Sequence, residues 1–259
     1  MLLLTYDGTC YHGWQVQPDS PTIEDKLEQA VKSLTGESVK VHGAGRTDSG
    51  VHALNFTANF KSSAENFKTT EKWRTALNAV LPADIVVKYA QIVSPEFHAR
   101  HSAIGKRYRY LIYNLPYRAV FSRNQSWWVN QKLDIKRMEE AADVLIGEHD
   151  FSAFRAASCS SPNPVKNMRE ILIAKTLLSN STLQIEIEAN SFLQHMVRII
   201  TGTLVEVGEG RKNIDDVAEA LKSGKRKLAG ITAPAHGLYS LSVIYPQGMI
   251  KWPLEVIDN

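Results

Sequence analysis

The hydrophobic residues of the first hundred positions follow two different spacings. From Ile23 to Leu34 they recur every three or four residues, as on one face of a helix, with Thr22 as a capping residue before them and Gly36 after them. From Leu54 to Phe60 they occupy every second position, which is typical of a strand with one buried face. Read through this half, the pattern predicts the order β-α-β-β-α-β, with strands at Leu2–Tyr6, Val39–His42, Leu54–Phe60 and Ile85–Ile92 and helices at Ile23–Leu34 and Trp73–Val80.

The second half of the chain repeats this order of elements. Its pattern predicts strands at 106–113, 171–178, 183–187 and 238–245, and helices at 135–145, 192–207 and 214–221. Two successive units of this kind predict two ferredoxin-like βαββαβ halves, an α+β fold whose mixed, largely antiparallel sheet has helices packed on it. We place the junction near Phe97–Gly105, so that the halves cover residues 1–100 and 101–259.

The composition argues against a protein that depends on disulfides or a structural metal, and against a secreted or membrane protein. The chain has 259 residues, of which 44% are hydrophobic and 22% are charged, so it buries enough surface to fold without disulfides or a structural metal. Its two cysteines, Cys10 and Cys159, belong to no CxxC pair, which predicts a reducing compartment and a cytoplasmic location. The sequence shows neither a secretory signal nor an apolar run of the ~20 residues that a membrane helix needs, so no membrane partner is expected.

Basic residues are distributed unevenly, although the net charge is only +3. Between Arg100 and Lys132 there are seven Lys or Arg and seven aromatic residues but no acidic residue, and further basic stretches lie at Phe151–Arg169 and Lys222–Lys227. Cations among aromatic rings suit looped RNA, because phosphates need positive charge and unstacked bases need flat apolar faces. The alternative is that exposed loops are ordinarily rich in Lys and Arg and that the aromatic residues form the core. Three such stretches favour an anionic partner.

The glycine-rich segment Gly43–Ala53 contains Asp48 and permits several interpretations. It lacks the glycine of a dinucleotide-binding loop at position 48, and Val51 and His52 stand where a P-loop has Lys and Ser or Thr. Asp48-Ser49-Gly50 matches the short motif of aspartic-type hydrolases, but those enzymes need two such carboxylates and this chain has one copy. Two alternatives remain: an ionised carboxylate nucleophile, or a tight turn in which Asp48 only caps backbone N–H groups.

One cation stands within an apolar segment of the second half. Phe192–Ile200 predicts a largely apolar helix that contains Arg198, and a helix apolar on most sides is usually buried. A buried guanidinium needs a carboxylate or phosphate partner, whereas a snorkelling one extends along its own methylene groups to solvent. If Arg198 pairs with Asp48, the ion pair would orient the carboxylate and stabilise its charged form.

Six separate segments, spread over nearly the whole chain, stand in a characteristic order. They are Tyr6-Asp7-Gly8 with His12–Gln15 and Gln17, then Gly45–Ala53, Phe97–Arg100, Lys106–Tyr110, Phe192–Arg198, and Thr232–Pro234 with Gly237-Leu238. In this order and at this spacing they resemble the tRNA pseudouridine synthase A (TruA) family. The resemblance implies the pseudouridine synthase fold, with the aspartate loop in the first half and the Tyr108 strand and Arg198 helix in the second.

The resemblance also implies a role for individual residues. Asp48 corresponds to the catalytic aspartate, which attacks or deprotonates the ribose of the target uridine so that the base detaches, rotates and rejoins through carbon. Arg46 corresponds to the residue that takes the place of the extruded base, and Tyr108 to the aromatic residue that stacks on the flipped uracil. Arg198 corresponds to the salt-bridge partner of the aspartate, and Leu238 to a residue that lines the uracil pocket.

The function implied by the resemblance is isomerisation of uridine to pseudouridine at positions 38, 39 and 40 of the tRNA anticodon stem-loop, by a homodimer without metal or organic cofactor. Arg100 and Lys106 belong to the matching segments and are expected to bind the substrate, whereas Lys166 stands where the family often has Arg. An isomerisation involves no net redox or hydrolysis, which agrees with the absence of a cofactor motif. The alternatives are an aspartic-type hydrolase and a non-catalytic RNA-binding module.

Overall fold

The computed structural model describes residues 1–64, 67, 69–176 and 179–251. The chain divides into two compact units, one formed by Met1–Ile104 with the residues from Tyr239 onward and the other by Gly105–Leu238. The boundary between the units thus lies between Ile104 and Gly105. The last strand groups with the first unit, whereas the sequence division kept it with the second half.

The first unit has the expected β-α-β-β-α-β order. Its elements are β1 (Leu2–Tyr6), α1 (Ile23–Thr35), β2 (His42–Gly43), β3 (His52–Asn59), α2 (Thr70–Val80) and β4 (Ile85–Ala90). Strand β1 lies between β3 and β4 and is antiparallel to both, and the short β2 pairs with β3. The strand after the second unit, β10 (Leu238–Ile244), pairs in parallel with β3 through Tyr239 opposite His52 and Ser240 opposite Ala53.

Helix α1 shows why the spacing of hydrophobic residues predicts the helices and strands of this unit well. The Thr22 hydroxyl accepts a hydrogen bond from the Asp25 amide, and Gly36 ends the helix with a φ of 76°. The apolar stripe of the helix, including Ile23 and Leu27, is fully buried in one core with residues of β1 and β3. The predicted strand at Val39–His42 is shorter than expected and displaced, since only His42–Gly43 pairs with β3.

The second unit contains more strands than the sequence predicted. Its elements are β5 (Gly105–Tyr113), β6 (Trp127–Trp128), α3 (Ile135–Asp143), β7 (Gly147–Asp150), β8 (Val165–Thr176), β9 (Ser179–Ala189), α4 (Met196–Gly208) and α5 (Ile214–Ser223). The strand order is β5-β9-β8-β7 with antiparallel neighbours, and β6 pairs in parallel with β5. Residues 177 and 178 of the predicted strand 171–178 lie outside the described residues.

The sequence pattern missed two short strands of this unit and placed the start of one helix too early. Strands β6 and β7 were missed because they have only two and four residues, and β7 consists of Gly-Glu-His-Asp without an apolar alternation. Helix α4 begins at Met196 instead of Phe192, since His195 before it has a φ of 62° in the left-handed region. Over the described residues the chain forms ten strands and five α-helices, which confirms the α+β class with mixed strand directions.

Candidate active site

The aspartate loop, residues 44–51 between β2 and β3, is a tight turn and not a helix N-terminus. The Val51 amide donates to the Asp48 carbonyl at 3.2 Å, and Gly50 has a φ of 78°. The loop leads directly into strand β3, which excludes a dinucleotide-binding loop or a P-loop followed by a helix. The Asp48 side chain is half-buried and Arg46 is exposed, so both predicted site residues of this loop are accessible from solvent.

Two glycines of the preceding segment hold the aspartate loop in place. A Cβ on Gly8 would lie 2.0 Å from the Val51 carbonyl oxygen, and a Cβ on Gly13 would lie 2.3 Å from the Thr47 carbonyl oxygen. Gly13 also has a φ of 85°, which side-chain-bearing residues rarely adopt. The backbone of residues 8–13 therefore packs directly on the loop on both sides of Asp48, at a distance that only glycine permits.

Hydrogen bonds from the same segment complete this support. The Trp14 amide donates to the Thr47 carbonyl at 3.2 Å, and the Gly50 amide donates to the Tyr11 carbonyl at 3.2 Å. The buried Tyr6 hydroxyl and the Thr47 hydroxyl are 3.1 Å apart. Tyr6 and Trp14 are thus buried residues that also form hydrogen bonds to the loop, and the sequence did not identify the two glycines as supports. Both glycines lie within the matching segments, but the local sequence does not show which backbone atoms they contact.

His52 has a structural role behind the loop. It is buried at the start of β3, and its ring stacks on Tyr239 of β10 with centroids 4.8 Å apart. Its Nδ1 atom lies 3.1 Å from the Gly8 amide, which donates to it, and 3.1 Å from an Asp7 carboxylate oxygen. The histidine therefore ties the strand that follows the loop to the segment that supports it.

Tyr108 lies in the second unit, on the face of β5 that also presents Lys106 and Tyr110. It stands opposite Ile187 of β9, and its half-buried ring meets Phe192 edge-on with centroids 5.1 Å apart. Lys106 is also half-buried. The register with β9 sets the position of the Tyr108 side chain, and the edge-on contact with Phe192 sets the orientation of its ring. Since the residue is only half-buried, part of the ring is accessible and can stack on a base.

Arg198 is the only residue of helix α4 that is not buried. Its Nε donates to the Ala233 carbonyl at 2.8 Å, and the Ala233 amide donates to the Arg198 carbonyl at 3.1 Å. The guanidinium is therefore half-buried and tethered to a backbone carbonyl. This is intermediate between the two alternatives given by the sequence, a buried guanidinium paired with an anion and a guanidinium that extends to solvent. The tether joins two of the matching segments, Phe192–Arg198 and Thr232–Pro234.

Tyr110 connects this tether to Leu238. Its hydroxyl donates to the Pro234 carbonyl at 2.7 Å, and a Cβ on Gly237 would lie 2.6 Å from its ring. Burial raises the pKa of the Tyr110 hydroxyl well above its ordinary value, and the positive charge of Arg198 opposes that shift. The hydroxyl therefore stays protonated and can donate. Leu238 follows as a buried residue at the start of β10.

The basic residues between Arg100 and Lys132 are less available to an anionic partner than the sequence indicates. Arg107 contacts Glu170 and Glu188 at 2.6 and 2.8 Å, and Arg109 contacts Glu186 at 2.8 Å. These arginines lie on the face of β5 opposite Tyr108, because side chains alternate along a strand. Their charge is balanced inside the second unit, by glutamates that are distant in sequence.

The remaining basic candidates differ in exposure. Arg100 is exposed, and its amide donates to His98 Nδ1 at 3.1 Å. Lys166 is buried, and its Nζ donates to the Asn163 carbonyl at 2.8 Å. Burial lowers the pKa of the Lys166 ammonium group. Arg100 can therefore contact a partner at the surface, whereas the Lys166 ammonium group is buried and bonded within its own loop.

Among the described residues, no group of three or more His, Cys, Asp or Glu side chains is close enough to hold a metal ion. None of the described helices is long and apolar enough to cross a membrane.

Comparison with known proteins agrees with the resemblance seen in the sequence. The family model described as tRNA pseudouridine synthase matches residues 3–102 and 141–246. A tRNA pseudouridine synthase A of Thermoanaerobacter sp. (strain X514) is 47% identical over 95% of this chain and 98% of its own length. The proteins of that name from Acetivibrio thermocellus and Geotalea uraniireducens are 45% and 43% identical, each over 94% of this chain and 98% of their own. The chain therefore belongs to the tRNA pseudouridine synthase family of isomerases.

Proposed function

We propose that this protein converts uridine to pseudouridine at positions 38, 39 and 40 of the tRNA anticodon stem-loop, with Asp48 as the catalytic residue. The observation that supports the proposal most is the aspartate loop, whose backbone is clamped by Gly8 and Gly13 on either side of a half-buried carboxylate. A nucleophile gains most of its effect from a fixed position against the reacting carbon, and a clamped loop provides one.

In the proposed reaction the Asp48 carboxylate acts on the ribose of the target uridine. The bond from the ribose to N1 of the base breaks, the base rotates, and a bond from the ribose to C5 forms in its place. The C5 proton is lost and N1 gains one, so the product is an isomer of the substrate. A carboxylate that attacks the ribose and one that removes a ribose proton both need an ionised, positioned Asp48.

The other site residues have supporting roles in the proposal. The target base must leave the helical stack, which costs a few kcal/mol and requires a group to fill the gap and a surface to receive the base. Arg46, exposed on the aspartate loop, would fill the gap, and the accessible part of the Tyr108 ring would receive the base. Leu238 would line the uracil pocket, and Arg100 and Lys106 would contact the RNA backbone.

Arg198 is the proposed partner of Asp48. Because its Nε is bonded to the Ala233 carbonyl, its two terminal nitrogens are the groups that would meet a carboxylate. An ion pair with them would hold the carboxylate in its charged form and in one orientation. We further propose that the enzyme acts in the cytoplasm, where tRNA is modified, and as a homodimer, as the family resemblance implies.

The test is incubation of the purified protein with an anticodon stem-loop transcript, with pseudouridine mapped at single-nucleotide resolution. We expect Asp48→Asn to lower turnover by about a thousandfold or more while RNA affinity is retained. The matched control is Asp19→Asn, which removes the same charge from an exposed position of the first unit, where a φ of 54° suits asparagine. Residual turnover by Asp48→Asn at the level of the control would contradict the role of Asp48. RNA binding without any conversion by the unaltered protein would favour an RNA-binding module.

A further inference from the structure

Three histidine side chains of the first unit lie in a row at the surface. The rings of His42 and His98 have centroids 4.9 Å apart, and those of His98 and His101 have centroids 4.3 Å apart. His42 and His101 are exposed, His98 is half-buried, and the exposed Arg100 belongs to the same turn as the last two. We call these four residues the histidine cluster. Imidazoles at this spacing repel one another when they become charged, and an anion that lies against them removes that cost.

The fold holds the cluster together through contacts from three parts of the first unit. His42 lies on β2 opposite Asn59 of β3. The Asn59 side chain accepts a hydrogen bond from the Ala99 amide at 2.7 Å, and the Tyr245 hydroxyl donates to the Ala99 carbonyl at 2.6 Å. Ala99 is buried within the turn at 98–102, which carries the other three residues of the cluster. The turn is therefore fixed next to β2, and little conformational entropy is lost when a ligand binds there.

His98 is held in a neutral form that can still donate a hydrogen bond. Its Nδ1 atom accepts hydrogen bonds from the Arg100 amide at 3.1 Å and from the His101 amide at 3.4 Å. The ring therefore carries its proton on Nε2, which is a donor. Burial lowers the pKa of His98, and the charges of His101, His42 and Arg100 lower it further. In the protein alone, the surroundings of His98 thus oppose its protonation.

Positive charge is in excess around the cluster. Segment 91–104 contains three residues that carry or can carry a positive charge and one acidic residue, Glu96, which is exposed. Lys40, just before β2, contacts Glu24 and Glu28 at 3.0 and 3.1 Å, so these two carboxylates are already paired. The groups that bond to the turn from β3 and from the segment after β10 are an amide and a phenol, which are uncharged. The cluster therefore favours an anionic ligand.

The cluster lies directly before the aspartate loop in the chain. His42 belongs to β2, and the loop begins right after that strand, with Arg46 four and Asp48 six positions beyond His42. We infer that the histidine cluster binds a phosphate group of the RNA whose uridine reaches Asp48; the inference rests on the proposed function. RNA carries a phosphate at every nucleotide, so a strand that enters the site also presents phosphates to the surface beside it.

Binding of a phosphate here is coupled to the uptake of protons. A neutral imidazole offers one N–H donor to a phosphate oxygen, whereas a protonated imidazole offers two donors and a full charge. An anion favours the charged form and raises an imidazole pKa, which is opposite to the effect of the neighbouring cations on His98. By linkage, the RNA binds more tightly as the pH falls, and Arg100 supplies attraction that does not depend on pH.

The test is the equilibrium affinity of the full chain for a tRNA transcript at about pH 6 and pH 8, on either side of the ~6.5 pKa of an ordinary imidazole. The variant is His42→Gln with His101→Gln, which replaces the two exposed rings and keeps His98. We expect its affinity to be lower by about tenfold at the lower pH and by less than about twofold at the higher pH. At the lower pH alone, the slope of log affinity against log salt should also weaken by about one.

Two further variants complete the comparison. Arg100→Gln removes a cation that stays charged at both pH values, so its loss of affinity should be the same at both. The matched control is His149→Gln, which removes a half-buried ring bonded to the Ile146 carbonyl in the second unit and should leave the affinity unchanged. Thermal unfolding verifies that each variant is folded, and His101→Gln alone takes the place of the double variant if that one is not.

Three results would overturn the inference. The first is a double variant that has the affinity of the unaltered chain at the lower pH. The second is an equal loss at both pH values, which would mean that the rings act through packing and not through charge. The third is a loss of thermal stabilisation by inorganic phosphate in the double variant without a change in RNA affinity, which would identify a site for free phosphate. If the unaltered chain binds tRNA with the expected pH dependence but converts no uridine, the proposed function fails and the cluster remains an RNA site.

Discussion

The aspartate loop and strand β5 present their proposed functional side chains in opposite ways. Asp48 stands on an irregular loop, and its position depends on two glycines that allow neighbouring backbone to touch that loop. Tyr108 stands in a nine-residue strand, and its position depends on register with β9 and on one ring contact with Phe192. An irregular loop is only as well placed as the atoms packed on it, whereas a strand keeps its side chains in place through many repeated bonds.

This difference predicts where substitutions do most damage. Around the loop, one methyl group should displace the proposed catalytic carboxylate. Around β5, a change on the face opposite Tyr108 should alter stability and leave the reaction intact.

The largest effect is expected for Gly13→Ala. The new Cβ would lie 2.3 Å from the Thr47 carbonyl oxygen, and the φ of 85° is unfavourable for alanine, so the loop must move. A displacement of about 1 Å at a reacting group can lower a rate by about a hundredfold. We expect kcat/KM for pseudouridine formation to fall by that order and the free energy of unfolding to fall by about 2 kcal/mol.

The control for this prediction is Gly36→Ala at the end of α1. Gly36 has a similar φ of 76°, but among the described residues no atom outside its chain neighbours and its own helix lies within 4 Å of the position of the new Cβ. The substitution should therefore cost only the backbone strain, about 1 kcal/mol, with no change in kcat/KM. Equal losses of activity in both variants would show that general destabilisation, and not the position of the loop, limits the reaction.

The sequence was informative where structure is periodic and less so where contacts are distant. Helix α1 and strand β3 were predicted because their buried faces repeat along the chain, whereas β7 has no apolar repeat and was missed. Asp48 and Tyr108 were selected through the motifs around them. The clamp at Gly13 could not be derived, since the contact with Thr47 joins residues 34 positions apart, which no local pattern encodes.

The charge of β5 illustrates the same limit. The sequence from Arg100 to Lys132 contains cations and no acidic residue, which by itself favours an anionic partner. The glutamates that balance Arg107 lie 63 to 81 positions later, on β8 and β9. Charge balance in a sheet is set by neighbouring strands, so a window of sequence cannot reveal it.

An intermediate effect is expected at Tyr108. Stacking of a base on an aromatic ring contributes about 1–3 kcal/mol, so Tyr108→Leu should lower kcat/KM by roughly tenfold to a hundredfold. Tyr108→Phe keeps the ring and should retain most of the activity, because the contact with Phe192 involves the ring and not the hydroxyl. The measurement is kcat/KM of both variants on the same stem-loop transcript. If Phe and Leu are equally damaging, the hydroxyl group and not the ring is the functional part.

The smallest effect on the reaction is expected for Arg107→Met, on the opposite face of the same strand. The substitution removes the cation that contacts Glu170 and Glu188 and leaves these carboxylates close together. Because the Arg107 side chain is 29% exposed, we expect a loss of only about 1–2 kcal/mol in the free energy of unfolding, measured with urea at low salt.

The loss caused by Arg107→Met should shrink at high salt, since salt screens the repulsion between the remaining carboxylates. Arg74→Met provides the comparison, because it breaks an exposed pair with Glu71 on α2 and should cost under about 0.5 kcal/mol. Both variants should keep kcat/KM and tRNA affinity within about twofold, which corresponds to less than 0.5 kcal/mol. A loss of tRNA affinity confined to Arg107→Met would mean that this face of β5 contacts RNA despite its glutamates, and the contrast between the two faces would fail.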